Sequence, residues 1–197
     1  MASTMTNTRG DIIVPDPPIA QFLFANTRMA WFWLILRIYL GYDWVTAGWH
    51  KVAAGGKGWL DGGSALQGFW TNAVKIPETG RPTVAYDWYR GFLQKLLDAE
   101  AYTWFAPLVA YGELLIGIAL ILGAFVGIAA FAGAFMNWNF LMAGTASTNG
   151  LLLVVAILLI LAWKVAGTVG ADFFLLRWLG TPWRATSSSP IAEPSRI

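Results

Sequence analysis

The chain has 197 residues, of which 57% are hydrophobic, 15% aromatic and only 12% charged. A soluble domain carries roughly 25% charged residues, and here no charged residue lies between Leu114 and Trp163. A soluble core of this size cannot hide such a stretch, so the composition predicts an integral membrane protein. The formal net charge of +2 is too small to indicate a nucleic-acid partner.

The chain contains no cysteine and a single histidine, His50. The absence of cysteine removes disulfides, iron–sulfur clusters, cysteine-ligated zinc and thioether-attached haem. One histidine cannot ligate a haem from both sides. We therefore expect no haem, iron–sulfur cluster or zinc on this chain, and any redox chemistry would need an organic cofactor or the centres of a partner.

The N-terminal part predicts a polar arm followed by one membrane span and a cap. Residues 1–28 form the arm, where a helix is not expected through Pro15, Pro17 and Pro18. The stretch from Ala20 to Arg28 could lie along the membrane surface. The first span is predicted at about 30–49, close to the 20 residues that a bilayer needs. Residues 50–102 are not hydrophobic enough to cross, and we call this extramembrane segment the cap.

The rest of the chain predicts three further spans. Glycine-rich turns open the cap, and an amphipathic pattern from Val84 to Leu97 ends it with a surface-lying helix. The spans follow at about 104–122, 124–143 and 151–169, with a tight turn at Gly123 between the first two. An interfacial helix is expected within 171–183, and residues 185–197 form a flexible tail. The predicted fold is an all-α polytopic membrane four-helix bundle over residues 29–184.

One face of the first span carries residues that a lipid-facing helix would not. Arg37, Gly41, Trp44, Gly48 and Lys51 are spaced by four, three, four and three residues, which places them on one helical face. The glycines would let another helix or a ligand approach the backbone closely. Because an ionisable side chain in a span costs about 2.5–3.5 kcal/mol, such residues indicate partners or function.

Glu113 is the only acid in the last three spans, which makes it the expected partner of Arg37. The pair could be a buried salt bridge that fixes the register of the helices. It could also take part in proton-coupled quinone binding. His50, where the first span meets the cap, could protonate a quinone carbonyl or could simply form interfacial hydrogen bonds.

Asn137 could bind a polar headgroup, or it could bond to a neighbouring helix or turn. Twelve tryptophans mostly lie near predicted helix ends, as in an aromatic belt. The candidate catalytic residues are Arg37, Glu113 and His50. The candidates for quinone binding are the same three together with Trp44 and Asn137.

Four groups of residues carry a resemblance to a known family. They are Arg37 and Gly41 with Gly48 and Lys51, then GELLIGIALILG at 112–123, FMNWNFLMAGTASTNG at 135–150 and GADFFLLRWLG at 170–180. In these segments the chain resembles the DoxX/DoxD family of small four-helix membrane proteins, over about 150 residues. The resemblance says more about the fold of the chain than about its chemistry.

The resemblance implies cytoplasmic termini in a prokaryotic plasma membrane. The basic residues do not decide this orientation, because six lie on each predicted side. The DoxD branch is the membrane subunit of a thiosulfate:quinone oxidoreductase, which pairs with a smaller subunit, DoxA. The resemblance thus implies a quinone cofactor, membrane lipids and other membrane-complex subunits as partners.

Two functions remain open from the sequence. The first is quinone-linked oxidation of a sulfur compound such as thiosulfate, which as an anion could meet Lys51 and Lys57 of the cap. The second is a non-catalytic accessory subunit of a larger membrane energy-converting complex. A transporter is a weaker third possibility, since four helices without an inverted repeat leave little room for a path.

Overall fold

A computed structural model describes residues 16–53 and 56–179, and also the backbone of two short strands. Strands β1 (Met5–Thr6) and β2 (Ile12–Ile13) pair antiparallel, with Met5 opposite Ile13. Of the predicted N-terminal arm, residues 16–28 are described, and they contain a helix at Pro18–Ala25; the predicted tail at 185–197 lies outside the described residues. Between them the chain is predominantly helical, which confirms the predicted helical class in its coarse form.

The described residues contain nine α-helices and one short 3-10 helix at Thr27–Met29. The α-helices are α1 (Pro18–Ala25), α2 (Ala30–Ala53), α3 (Ser64–Val74), α4 (Asp87–Asp98), α5 (Tyr102–Leu122), α6 (Val126–Met142), α7 (Asn149–Leu161), α8 (Trp163–Ala166) and α9 (Asp172–Trp178). The first three predicted spans each fall on one helix, and the fourth falls on α7 and α8. Helix α1 begins at the last residue of the proline-containing segment, because proline is tolerated in the first helical turn.

Helices α2 and α5 pack antiparallel with their backbones in close contact. A Cβ atom built on Gly48 would lie 2.6 Å from the backbone nitrogen of Leu114. One built on Gly41 would lie 3.0 Å from the carbonyl oxygen of Gly117. The predicted glycine face of the first span is therefore the face on which α5 packs.

A short connection joins α5 to α6 through Gly123, which adopts a left-handed conformation at φ 69°. Helix α6 then packs along α7, and Gly127 lies against the side chain of Trp163. The main core lies among α2, α5, α6 and α7, with Leu40, Leu120 and Leu159 fully buried in it.

The cap has a hydrophobic core of its own. Helices α3 and α4 contribute Leu66, Trp70, Tyr89 and Leu93, which pack beside buried alanines of α5 and of the α6 C-terminus. Helix α4 corresponds to the predicted amphipathic helix. Helix α3 was not predicted: the stretch after the glycine-rich turns was assigned to the cap without a helix.

The fourth predicted span ends earlier than expected. Helix α7 stops at Leu161 and the chain continues through α8, whereas the sequence predicted one helix to residue 169. The segment after α8 turns back toward the α5–α6 connection, where Asp172 N–H donates to the Gly123 carbonyl at 2.8 Å. The predicted interfacial helix is present as α9, and residues 180–183 of that prediction lie outside the described residues.

Only one of the described helices, α5, is long and apolar enough to cross a bilayer by itself. The helices at 18–25 and 27–53 are long and apolar enough to cross a bilayer only if they are taken together, as one span that is bent by 56°. Helices α6 and α7 are apolar but have 17 and 13 residues. At 1.5 Å per residue they are about 26 and 20 Å long, against a hydrocarbon core of about 30 Å.

Candidate functional site

An ion pair links α2 and α5 at the cap end of the bundle. The Lys51 ammonium donates to Oε2 of Glu113 and lies 3.5 Å from the carbonyl oxygen of Ala47. The Glu113 side chain is 2% exposed and that of Lys51 18%. Lys51 Nζ also lies 4.9 Å from the ring centre of Trp59, in reach of a cation–π interaction. Among the described residues, the partners of this ammonium are thus the Glu113 carboxylate, the Ala47 carbonyl and the Trp59 ring.

The predicted pairing of Glu113 with Arg37 is wrong. The Arg37 guanidinium lies near the opposite end of α2, where Nη1 donates to the Ala166 carbonyl at 2.7 Å and Nη2 to the Val169 carbonyl at 2.8 Å. Antiparallel packing of α2 on α5 brings Arg37 to the C-terminus of α5, beside Gly123. Glu113 lies too far toward the cap to meet it.

Asp172 is the acid at the Arg37 end of the bundle. Its carboxylate accepts from the N–H groups of Phe125 at 2.5 Å and Val126 at 2.9 Å, so it caps the N-terminus of α6. Its side chain is buried. Asp172 and Arg37 together fix the return of the chain after α8. This is the structural role of the GADFFLLRWLG segment, and sequence reasoning did not connect that segment to Arg37.

A cavity of about 600 Å³ lies at the cap end of the bundle, beside the ion pair. Its volume falls in the roughly 300–1,000 Å³ typical of small-molecule sites. Helix α2 lines it with one face, and α5, α6, α7, α3 and the turn before α7 complete it. The side chains with polar atoms in its wall are those of Tyr39, Asp43, Trp44, Thr46, His50, Lys51, Trp59, Glu113, Asn137, Thr145, Thr148 and Asn149.

Two buried residues in this wall carry polar atoms without a hydrogen-bond partner among the described residues. These atoms are Nε1 of Trp44 and both Nδ2 and Oδ1 of Asn137. Trp44 is 3% exposed and Asn137 is not exposed at all. A buried amide or indole N–H without a partner costs about 1–3 kcal/mol, and native folds rarely tolerate several such atoms together. Both residues line the cavity. Nε of Arg37, which lies away from the cavity, is the other buried side-chain atom without a partner among the described residues.

Gly133 has no side chain, and this leaves room for the Trp44 indole. A Cβ atom on Gly133 would lie 3.0 Å from Trp44 Nε1, so a larger residue would push the indole away. Trp44 and Asn137 thus come from facing helices, α2 and α6, and both line the cavity. Asn137 was predicted to bond either to a headgroup or to a neighbouring helix, and no bond of the second kind occurs among the described residues.

The structure brings four of the five predicted quinone-binding residues to one cavity. Trp44, His50, Glu113 and Asn137 all line it, while Arg37 does not. His50 is exposed, so it stands at the solvent-accessible part of the wall. Asp43 lines the cavity as well, since it lies one turn before Ala47 on the same face of α2.

The wall offers an arrangement suited to a small polar ring. Trp44 Nε1 and Asn137 Nδ2 are donors, Asn137 Oδ1 is an acceptor, and Glu113 is a buried carboxylate paired with Lys51. No cluster of three or more metal-ligating His, Asp or Glu side chains occurs in the part of the chain that the structure describes. In comparisons with known proteins, no family model, curated protein or solved structure matches this chain.

Proposed function

We propose that this protein is an integral membrane subunit of the DoxX/DoxD type that binds a quinone headgroup in the cavity at the cap end of its bundle. The proposed reaction is quinone-linked oxidation of a sulfur compound such as thiosulfate. The observation that carries the proposal is the set of orphaned polar atoms on Trp44 and Asn137 beside the Glu113–Lys51 pair.

The apolar surface of the bundle supports a position within a bilayer. Large hydrophobic side chains are exposed on all four helices of the bundle, among them Trp31, Ile35, Leu115, Phe131 and Val154. Water-soluble monomers rarely expose contiguous apolar patches beyond a few hundred Å². We propose that α2, α5, α6 and α7 all cross the membrane, with α8 lengthening the short α7, and that both termini face the cytoplasm of a prokaryotic cell.

The wall chemistry suits a quinone ring better than a charged ligand. A quinone supplies a two-electron, two-proton acceptor whose two carbonyl oxygens accept hydrogen bonds. Trp44 Nε1 and Asn137 Nδ2 would donate to such oxygens, and Asn137 Oδ1 would accept from a hydroxyl of the reduced form. The Glu113 carboxylate, whose charge Lys51 compensates, would lie beside the ring and exchange a proton with it. The exposed His50 would connect the cavity to bulk water.

The sulfur donor rests on the family resemblance alone. Of the two lysines predicted to meet thiosulfate, Lys51 is engaged with Glu113, so its charge is not free for an anion. Lys57 is exposed in the cap and keeps that role in the proposal. Electrons would pass from the donor through a partner subunit to the quinone, because this chain has no cysteine on which a sulfur intermediate could form.

The headgroup proposal is tested by Asn137→Leu and Trp44→Phe, with binding and folding measured on the same samples. Each change removes an orphaned polar atom, so the unfolding midpoint of the free protein should stay level or rise. The dissociation constant of dimethoxy-methyl-benzoquinone should rise by about tenfold, since a lost hydrogen bond costs about 1.4 kcal/mol. Asn72→Leu, on the exposed face of α3, is the matched control and should change neither quantity.

Purification in mild detergent from native membranes separates this function from the accessory role. Quinone extracted in stoichiometric amount, together with a small sulfur-metabolism subunit, would support the oxidoreductase. Recovery inside a large energy-converting complex without quinone, combined with unchanged quinone affinity in Asn137→Leu, would favour the accessory subunit and refute the proposal.

A further inference from the structure

A second, smaller cavity lies between the cap helices and the bundle. Its volume is about 180 Å³, and its wall is largely aromatic and aliphatic, with Phe69, Trp70, Leu93, Phe105, Val109 and Phe140 among the lining residues. The polar side chains of Tyr89 and Asn139 in the wall are hydrogen-bonded. The Tyr89 hydroxyl lies 3.0 Å from Asn139 Oδ1, and Asn139 Nδ2 donates to the Phe135 carbonyl at 2.8 Å.

The two cavities share part of their walls. Leu66, Phe69 and Phe140 line both of them, so these three side chains are what separates one space from the other. On one side of this partition lie the orphaned atoms of Trp44 and Asn137, and on the other side lies an apolar space. The polar cavity and the apolar cavity therefore lie next to each other, on the two sides of this partition.

An apolar space of this size can hold hydrocarbon but gives water little to bond. A cavity of about 150 Å³ lined by aliphatic and aromatic side chains stays dry and binds benzene. Phe69 and Phe140 are only partly buried. If their rings turned aside, a chain of a few carbon atoms could pass between them from the polar end.

We propose that the apolar cavity receives the first isoprene units of the tail of the quinone whose ring occupies the polar cavity. The proposal rests on the proposed headgroup site and adds the ligand class, a prenyl-tailed quinone rather than a water-soluble one. The ring would enter deepest toward Trp44 and Asn137, and the tail would leave past Phe69 and Phe140 under α3 and α4. The cap would thus act as a tail-binding element.

The test compares two ligands that share one ring, dimethoxy-methyl-benzoquinone without a tail and with a two-isoprene tail. In the full-length protein in one detergent, the tailed ligand should bind at least about tenfold more tightly, because its first isoprene units become buried. Val109→Phe fills the apolar cavity without touching the polar one. In this variant the affinity ratio should fall to within about twofold while the tail-less ligand binds as before.

Val154→Phe, on the exposed face of α7, is the matched control and should keep the wild-type ratio. If Val109→Phe does not fold, Leu96→Phe fills the same cavity from α4. A ratio that persists in the filled variant refutes the tail site while leaving the headgroup site in place. If the wild type binds neither ligand, both proposals fail. Displacement of the tailed ligand by phospholipid, with tail-less binding intact, would assign the apolar cavity to an acyl chain instead.

Discussion

Lys51 on α2 and Glu113 on α5 form an ion pair within the fold, at the end of the bundle that the cap covers. This pair, and not one between Arg37 and Glu113, neutralises the buried carboxylate. The consequence is a separation of roles along α2. Arg37 holds the end of the bundle near α8 together, whereas Lys51 holds the acid that lines the larger cavity.

We expect Lys51→Met to destabilise the protein strongly. The change leaves Glu113 buried without its cation, and removing one partner of a buried pair costs about 3 kcal/mol or more. The measurement is the free energy of unfolding by denaturant in detergent micelles. The double variant Lys51→Met with Glu113→Gln removes both charges, so it should recover most of the loss. A double variant no more stable than the single one would show that the pair does not carry this stability.

Arg37→Gln should lower stability without altering the cavity. Arg37 donates to the carbonyls of Ala166 and Val169, and these hydrogen bonds from a charged group are worth about 1.5–3 kcal/mol each. Affinity for the tail-less quinone, measured per folded molecule, should stay at the wild-type value because Arg37 does not line the site. Arg28→Gln, in the exposed 3-10 turn, is the control and should leave both quantities unchanged. Loss of quinone affinity in the folded Arg37→Gln variant would show that Arg37 does contribute to quinone binding.

The spacing of residues on α2 predicted which face is buried, but not what each residue would meet. Helical periodicity alone places Arg37, Gly41, Trp44 and Gly48 on one side, and all four are buried. The axial offset between α2 and α5 depends on how closely glycine backbones approach each other, and no residue pattern records that distance. The prediction that Arg37 pairs with Glu113 therefore gave Glu113 the wrong partner.

The backbone partners of Arg37 and the short helix α3 were also not predicted from the sequence. Carbonyl oxygens accept from Nη1 and Nη2 of Arg37, and carbonyls have no signature in a sequence, since every residue carries one. Helix α3 is only 11 residues long and lies among glycine-rich turns, so its periodicity was masked by its surroundings. The orphaned state of Trp44 and Asn137 depends on facing helices and could not be read from spacing. Most of the predicted quinone set nevertheless came together in one cavity.

Gly48→Ala should destabilise the α2–α5 contact. A methyl group at this position would lie 2.6 Å from a backbone nitrogen of α5, which cannot move away without separating the helices. Overpacking of this kind costs about 1–3 kcal/mol. Gly68→Ala is the matched control, because this glycine also lies inside a helix but has no atom within 4 Å of its added Cβ. The control should be neutral or stabilising by up to about 1 kcal/mol. Equal unfolding midpoints for the two variants would contradict the close helix contact.

Tyr89 should make stability depend on pH in the alkaline range. Burial in the cap raises the pKa of the Tyr89 hydroxyl above its ordinary value of 10.0. In the unfolded chain the phenol loses its proton near pH 10, while in the folded protein it keeps the proton to higher pH. Above pH 10 the unfolded state therefore binds fewer protons than the folded state, and the free energy of unfolding falls as the pH rises.

Tyr89→Phe should remove that dependence while costing about 1 kcal/mol at neutral pH, from the lost hydrogen bond to Asn139. The measurement is the free energy of unfolding of wild type and variant at pH 8 to 11, and the difference between them should shrink above about pH 10. Lysines titrate in both proteins and cancel in this difference. Tyr86→Phe, at an exposed position next to α4, is the control and should follow the wild type. A constant difference across the range would mean that the Tyr89 hydroxyl is not buried, and the cap would then not be closed over the apolar cavity.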